Sequence, residues 1–352
     1  GFISQYEFSP NYVNKFVFGI EYLNDTMNVE SQTINKNSSG EIVVDPLKIE
    51  VPDKKVENYN NFFQFSQQIN SNLEWLFSGR ANNNPKYGFN FSPMVNFQYF
   101  PNSWLSGDLS FRLGFGHGYR TPNIKELYYE LDHSHIGYKV VGNEDLQPES
   151  SENIQASMEW QPSNQTSFDI SFFYNQIENL ISSDNEVPDL TEQFTEENNG
   201  EHVTGNQYTN IQNAITAGTE ITLSHNFYDT VRTSIAYSYL YSEDEETGNV
   251  LPQRPEHDVK LGLDVSVTPK ILTSIKYIYT SEQYSDLENE HLTNGFGQVD
   301  LKFNYNFSQK LKLFAGVNNL TGVQKKNFDG HDLKPEESRF AYFGFKLQNL
   351  ID

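Results

Sequence analysis

Residues 257–268, HDVKLGLDVSVT, decide the fold. Val259, Leu261, Leu263, Val265 and Val267 occupy every second position, with Lys260, Gly262, Asp264 and Ser266 between them. A period of two places the apolar set on one face of an extended strand and the polar set on the other, whereas a helix of 3.6 residues per turn would mix them. The same pattern returns in QVDLKFNYNF (298–307), where Val299, Leu301, Phe303, Tyr305 and Phe307 alternate with polar residues. It recurs at Phe168, Ile170, Phe172 and Tyr174, and at Ile235, Tyr237, Tyr239 and Tyr241. About 14 such segments follow one another, as in a large antiparallel barrel. They span 12–29, 58–69, 71–82, 87–100, 104–119, 151–161, 164–181, 207–226, 230–243, 256–267, 269–284, 294–306, 310–322 and 337–348.

Composition narrows the partners. The 352 residues include no cysteine, which removes disulfides, thiolate chemistry and cysteine metal sites. Lys and Arg number 24 against 47 Asp and Glu, a net charge of −23 and the wrong sign for a phosphate backbone, so nucleic acid is not expected as a partner. The 21 Tyr and 27 Phe, against 3 Met, suit strands. No apolar run reaches the ~18 residues of a membrane-spanning helix. The opening GFISQYEFSPNY reads as the middle of a strand and a tight turn, so residues 1–352 are expected to be part of one larger barrel domain.

The connections discriminate further. Short turns at 69–72, 100–104, 161–165, 226–230, 268–270 and 307–310 alternate with longer connections at 30–57, 83–86, 120–150, 182–206, 244–255, 285–293 and 323–336. Outer-membrane barrels have short periplasmic turns and long extracellular loops. A soluble barrel or sandwich would have to fit a ring at nearly every alternate position of its strands into one interior, which close packing does not allow. The expected fold is therefore all-β, a transmembrane antiparallel β-barrel whose apolar face meets lipid and whose polar face lines a wet lumen. The expected setting is the outer membrane of a Gram-negative bacterium, with the long loops extracellular and the C-terminus periplasmic.

The connection 120–150 carries two motifs. GYRTPNIKELY (118–128) and GNEDLQPESSENIQASMEW (142–160) resemble paired segments of the TonB-dependent outer-membrane receptors, and LPQRPEHDVKLGLDV (251–265) and LFAGVNNLTG (313–322) resemble two later stretches of the same family. The matching positions are Arg120, Pro122 and Glu126 in the first segment, and Gly142, Asn143, Asp145, Leu146, Pro148 and Glu149 in the second. The resemblance implies the C-terminal portion of a barrel of about 22 strands. It also implies an N-terminal plug and early strands that are not in these residues, and a periplasmic energy-transducing partner of the TonB type. A surface lipoprotein is a further candidate partner. Ending on QNLID instead of an aromatic residue departs from the family pattern and leaves Phe345 as the candidate end signal of the last strand.

His133 and His135, close in sequence to Tyr128 and Tyr129, are the candidate ligand-binding residues. Haem-uptake members of the family carry an axial histidine in this loop, so haem is a candidate cargo; solvated loop residues are the plainer reading. Arg120 and Glu126 are expected to pair and fix the exit of the loop. The acidic runs 184–202 and 242–248 are candidates for Ca2+, although neither has EF-hand spacing and a solvated loop explains both. No other metal is assigned, and no cofactor is required. No nucleophile elbow, metalloprotease motif or phosphate-binding loop is present, so an enzyme is not expected. The expected function is energy-coupled import of a scarce cargo: an iron chelate such as a siderophore, haem, or a cobalamin. The alternative is a passive porin, or a structural barrel subunit of a multi-protein outer-membrane complex.

Overall fold

A computed structural model of the chain describes residues 1–32, 34–36, 41–44, 46–102, 105–184, 187–323 and 338–347. Period-two alternation becomes a meander in which each long strand is antiparallel to the next. Its first part runs Phe2–Asn11, Asn14–Ser31, Lys48–Asn70, Leu73–Asn84, Gly88–Tyr99 and Asp108–Arg120. It continues through Glu149–Ser163, Thr166–Asp184, Thr204–Phe227, Val231–Asp244 and His257–Thr268. Ile271–Thr280, Phe296–Asn306, Leu311–Asn318 and Phe340–Leu347 complete it. A hairpin of Glu130–His133 and Tyr138–Val141 joins the same 17-stranded sheet by lying parallel to Thr204–Gln207.

The sheet is open. Phe2–Asn11 pairs only with Asn14–Ser31, and Phe340–Leu347 only with Leu311–Asn318, among the described residues. Each outer strand therefore presents a row of unpaired backbone groups.

Register aligns the apolar positions into continuous rows. Leu261 lies between Ile235 and Tyr277, and Phe115 lies between Val95 and Ile154. Phe115, Phe172, Ile235, Leu261, Ile275 and Phe303 are 40–52% exposed, so this face is not a packed interior. Apolar surface on that scale is stable against lipid, not water. Most of the buried apolar side chains lie instead at one end of the sheet, in the connections and the strand segments they cover: Ile124, Leu127, Leu146, Phe194, Val203 and Leu251 are examples. No helix among the described residues is long and apolar enough to cross a membrane.

Several sequence boundaries change. The opening segment is a full strand of its own. The expected connection 30–57 is largely strand, because Asn14–Ser31 and Lys48–Asn70 stay paired out to Ser31 and Lys48. Ladder hydrogen bonds persist there after the alternation has ended. The connection 83–86, grouped with the long ones, is a tight turn: the Asn84 side chain accepts the Lys86 and Tyr87 N–H groups, and Gly88 takes φ +79°. The final QNLID and nearly all of 323–336 lie outside the described residues.

Candidate ligand-binding cap

The loop end of the sheet is folded into a cap, and Arg120 begins it. The last residue of its strand, Arg120 donates from Nη1 to both Glu126 oxygens at 3.0 Å and from Nε to Glu149 at 2.5 Å. The pairing expected between Arg120 and Glu126 is thus present, extended to Glu149. Pro122 is fully buried and leads into Asn123, which caps helix α1 (Ile124–Tyr128). Asn123 accepts the N–H groups of Lys125 and Glu126 at 2.9 and 3.0 Å, and Glu126 returns a bond to the Asn123 N–H at 2.8 Å. This reciprocal capping box is what makes so short a helix stable. Glu149 also accepts the Ile181 N–H at 2.8 Å, tying the start of its strand to a neighbour.

The second motif folds back onto the first. Gly142 donates to Tyr129 O at 2.6 Å and Asn143 to Glu126 O at 2.8 Å. A Cβ on Gly142 would sit 2.6 Å from the Leu127 carbonyl carbon and from the Tyr128 nitrogen, so only glycine fits this approach of two backbones. The Asn143 side chain receives the Asp145 N–H and donates to Tyr208 O at 3.0 Å. Leu146 is buried, and its carbonyl accepts the Tyr87 hydroxyl at 3.0 Å. Burial under the loop, with Tyr128, Tyr119 and Glu126 nearby, pushes the Tyr87 phenol up to about 12. Gln147, just before Pro148, exchanges bonds with the Asn210 side chain.

His133 and His135 sit at the tip of the loop hairpin. Their rings meet edge to face at 5.6 Å, and His133 Nδ1 is 2.7 Å from the Tyr138 hydroxyl. Among the described ring contacts neither histidine touches Tyr128 or Tyr129; Lys54 Nζ lies 4.3 Å over the Tyr128 ring instead. The structure therefore brings the histidines together and leaves the tyrosines at the end of α1.

Helix α2 (Pro188–Glu197) occupies most of the acidic run 184–202. Its buried Phe194 lies under Lys139 Nζ at 4.3 Å, and the same lysine pairs with Glu130 at 3.4 Å. In the run 242–248, Asp244 accepts from Glu246 N–H and Thr247 O–H, closing a turn at Gly248, φ +73°. Among the described residues no group of three or more His, Asp or Glu side chains is arranged to hold a metal ion. Leu251 packs with Ile211, Ala214 and Leu287, and reciprocal Asn289–Val250 bonds join the loops after Asp244 and Thr280.

The paired motifs of 118–128 and 142–160 thus converge on one cap, which Leu251 of the motif 251–265 also joins, while Tyr87, Asn210 and Lys139, which complete it, carried no motif. One signal was readable: Asn123 followed three residues later by Glu126 is a capping box. Pro188 at the start of α2 is another.

The family described as TonB dependent receptor-like, beta-barrel, matches residues 2–320. The chain is 24% identical over 311 residues to the iron-regulated outer membrane virulence protein of Vibrio cholerae serotype O1, covering 86% of this chain and 44% of that protein. It is 24% identical over 292 residues to the ferric enterobactin receptor PirA of Pseudomonas aeruginosa, covering 75% of this chain and 37% of that one. Among solved structures, the ferric enterobactin receptor PfeA of Pseudomonas aeruginosa aligns with a TM-score of 0.70 at 18% identity, over 98% of this chain and 53% of its own. The copper transporter OprC aligns at 0.72 with 14% identity, over 95% and 54%. These structural likenesses show the fold. The chain spans less than half the length of the curated relatives it matches.

Proposed function

The chain belongs to the TonB-dependent receptor family, and from that premise we propose that the whole protein is a Gram-negative outer-membrane receptor that imports an iron chelate. The cap captures the cargo outside the cell, the short turns and C-terminus face the periplasm, and a TonB-type partner supplies the energy. The observation that carries this reading is the division of the molecule into an exposed apolar face along the strands and a folded polar cap at one end. The relatives named for iron regulation and ferric enterobactin favour iron over other metals as the cargo, although a copper transporter shares the fold.

The test is uptake by the full-length protein in cells lacking their own ferric-chelate receptors. Radioactive iron is offered as ferric enterobactin or as haemin, with the energy-transducing partner present or deleted. Uptake of at least one form that disappears with the partner supports the proposal. Uptake that persists without the partner identifies a passive pore and rejects it.

A further inference from the structure

One ionisable pair interrupts the outward apolar rows. His117 and Glu152 occupy the outward positions directly above Phe115 and Ile154, and they stand opposite one another in the ladder. His117 Nδ1 lies 3.0 Å from Glu152 Oε1, with the two side chains 24% and 74% exposed. Glu178, the next outward carboxylate, receives the Ser150 hydroxyl. No outward position on the strands that carry Phe77, Val95, Phe115, Ile154 and Tyr174 holds Lys or Arg. From Asp108, where its strand begins, to His117 is a rise of roughly 23 Å at about 3.3 Å per residue and a tilt of about 40°, close to the ~25 Å of an outer-membrane apolar band. Tyr174, opposite Ile154 and one step below the pair, is a residue type that marks this boundary. The pair therefore sits where headgroups begin, and an ionisable group facing lipid is costly enough to point to a function.

The wall forks beside it. The ladder between Gly88–Tyr99 and Asp108–Arg120 runs from Tyr99–Phe111 to Met94–Gly116 and stops, and Pro93, next in line, has no N–H to continue it. Beyond that point, among the described residues, Gly88–Pro93 pairs only along Leu73–Asn84, and His117–Arg120 only along Glu149–Glu152. A groove of about 490 Å³ lies at the fork. Phe77, Phe91, Pro93, Val95 and Phe115 line its apolar length, and His117 and Glu152 stand at its cap end. Its walls are internal to the sheet and on the face turned away from the lumen, so the bilayer is what meets it.

We propose that the groove seats one phospholipid with a primary-amine headgroup, its acyl chain against Phe77, Phe91 and Phe115 and its ammonium on the His117–Glu152 pair. With Nδ1 donating to the carboxylate, the neutral ring presents Nε2 as an acceptor beside the remaining lone pairs of Glu152, and a primary ammonium has three N–H groups to give. Such charge-assisted bonds are strong at the edge of hydrocarbon. An anionic headgroup meets Glu152 and Glu178 with like charge, and a trimethylated amine has no donor. The site thus selects phosphatidylethanolamine over phosphatidylglycerol and phosphatidylcholine. The inference rests on the membrane-spanning fold and is independent of the cargo.

Full-length protein in detergent, equilibrated with an equimolar mixture of these three lipids, is assayed for retained lipid by native mass spectrometry. One phosphatidylethanolamine retained about tenfold over the other two supports the site, and Glu152→Gln lowers that preference to about twofold or less. Val95→Trp, which fills the groove, removes the retained lipid, while Leu261→Trp, on a distant stretch of the same face, leaves it in place. Equal retention of the three lipids, a preference unchanged in Glu152→Gln, or no retained lipid overturns the proposal. Retention indifferent to Val95→Trp places the lipid elsewhere on the wall and overturns it as well.

Discussion

Arg120→Met keeps the aliphatic stem and removes the guanidinium that holds the cap to the strand rim. Glu126 and Glu149, with side chains only 12% and 15% exposed, both lose their cation. Removing one partner of a buried pair costs about 3–5 kcal/mol. Here Arg120 itself is 43% exposed, so solvent screening lowers the expectation to roughly 2–3 kcal/mol. The carboxylates also keep their backbone donors at Asn123 and Ile181, both at 2.8 Å, so the loop loosens without unfolding the sheet. At about 1.4 kcal/mol per decade, the segment 121–148 opens roughly 30- to 150-fold more often. Hydrogen exchange of the full-length protein in detergent measures this directly. Peptides within 124–146 exchange faster by that factor, those within 257–268 do not, and Glu126→Gln in the Arg120→Met background restores part of the protection. Unchanged exchange in 124–146, or acceleration across the whole sheet, refutes the assignment of Arg120 as the local clamp.

Three further outcomes follow from the cap. Gly142→Ala places a Cβ against the Leu127–Tyr128 backbone and costs about 1–3 kcal/mol by overpacking, read as faster exchange confined to the same loop; an unaltered loop contradicts the close approach. The Tyr87 phenol is raised from an ordinary value of about 10 to about 12, so its stabilisation of the loop is full below pH 10 and lost as pH rises through about 12. Tyrosinate absorbance of Tyr87→Phe should lack one late-titrating group, and an identical titration curve argues against its burial. With haem as the cargo, His133 is the proposed ligand, its Nδ1 lying 2.7 Å from the Tyr138 hydroxyl, and His133→Ala is then expected to abolish the Soret shift in a haemin titration. An unchanged shift rejects that ligand.

The strands were legible because lipid on one side and polar lumen on the other write period-two alternation into the sequence. The strand expected at 256–267 is observed at His257–Thr268, and that expected at 87–100 at Gly88–Tyr99. Legibility failed where the chain leaves the apolar rows. From the Asn24–Glu57 pair out to Ser31–Lys48 the pairing continues on backbone hydrogen bonds that need no side-chain pattern. The cap was legible only in its motifs. Arg120 and Asn123 meet Glu126 within six residues, whereas Arg120 meets Glu149, Asn210 reaches Gln147 and Tyr87 reaches Leu146 across the fold, and no local pattern marks such contacts.

The central claim is that alternate residues of each strand face lipid and lumen. The chain has no cysteine, so single cysteines introduced at positions 259 to 266 of the full-length protein, spin-labelled in bilayers, report each face separately. Accessibility to oxygen should peak at 259, 261, 263 and 265, and accessibility to a polar relaxant at 260, 262, 264 and 266. Equal accessibility along the strand, or the opposite phase, contradicts the account.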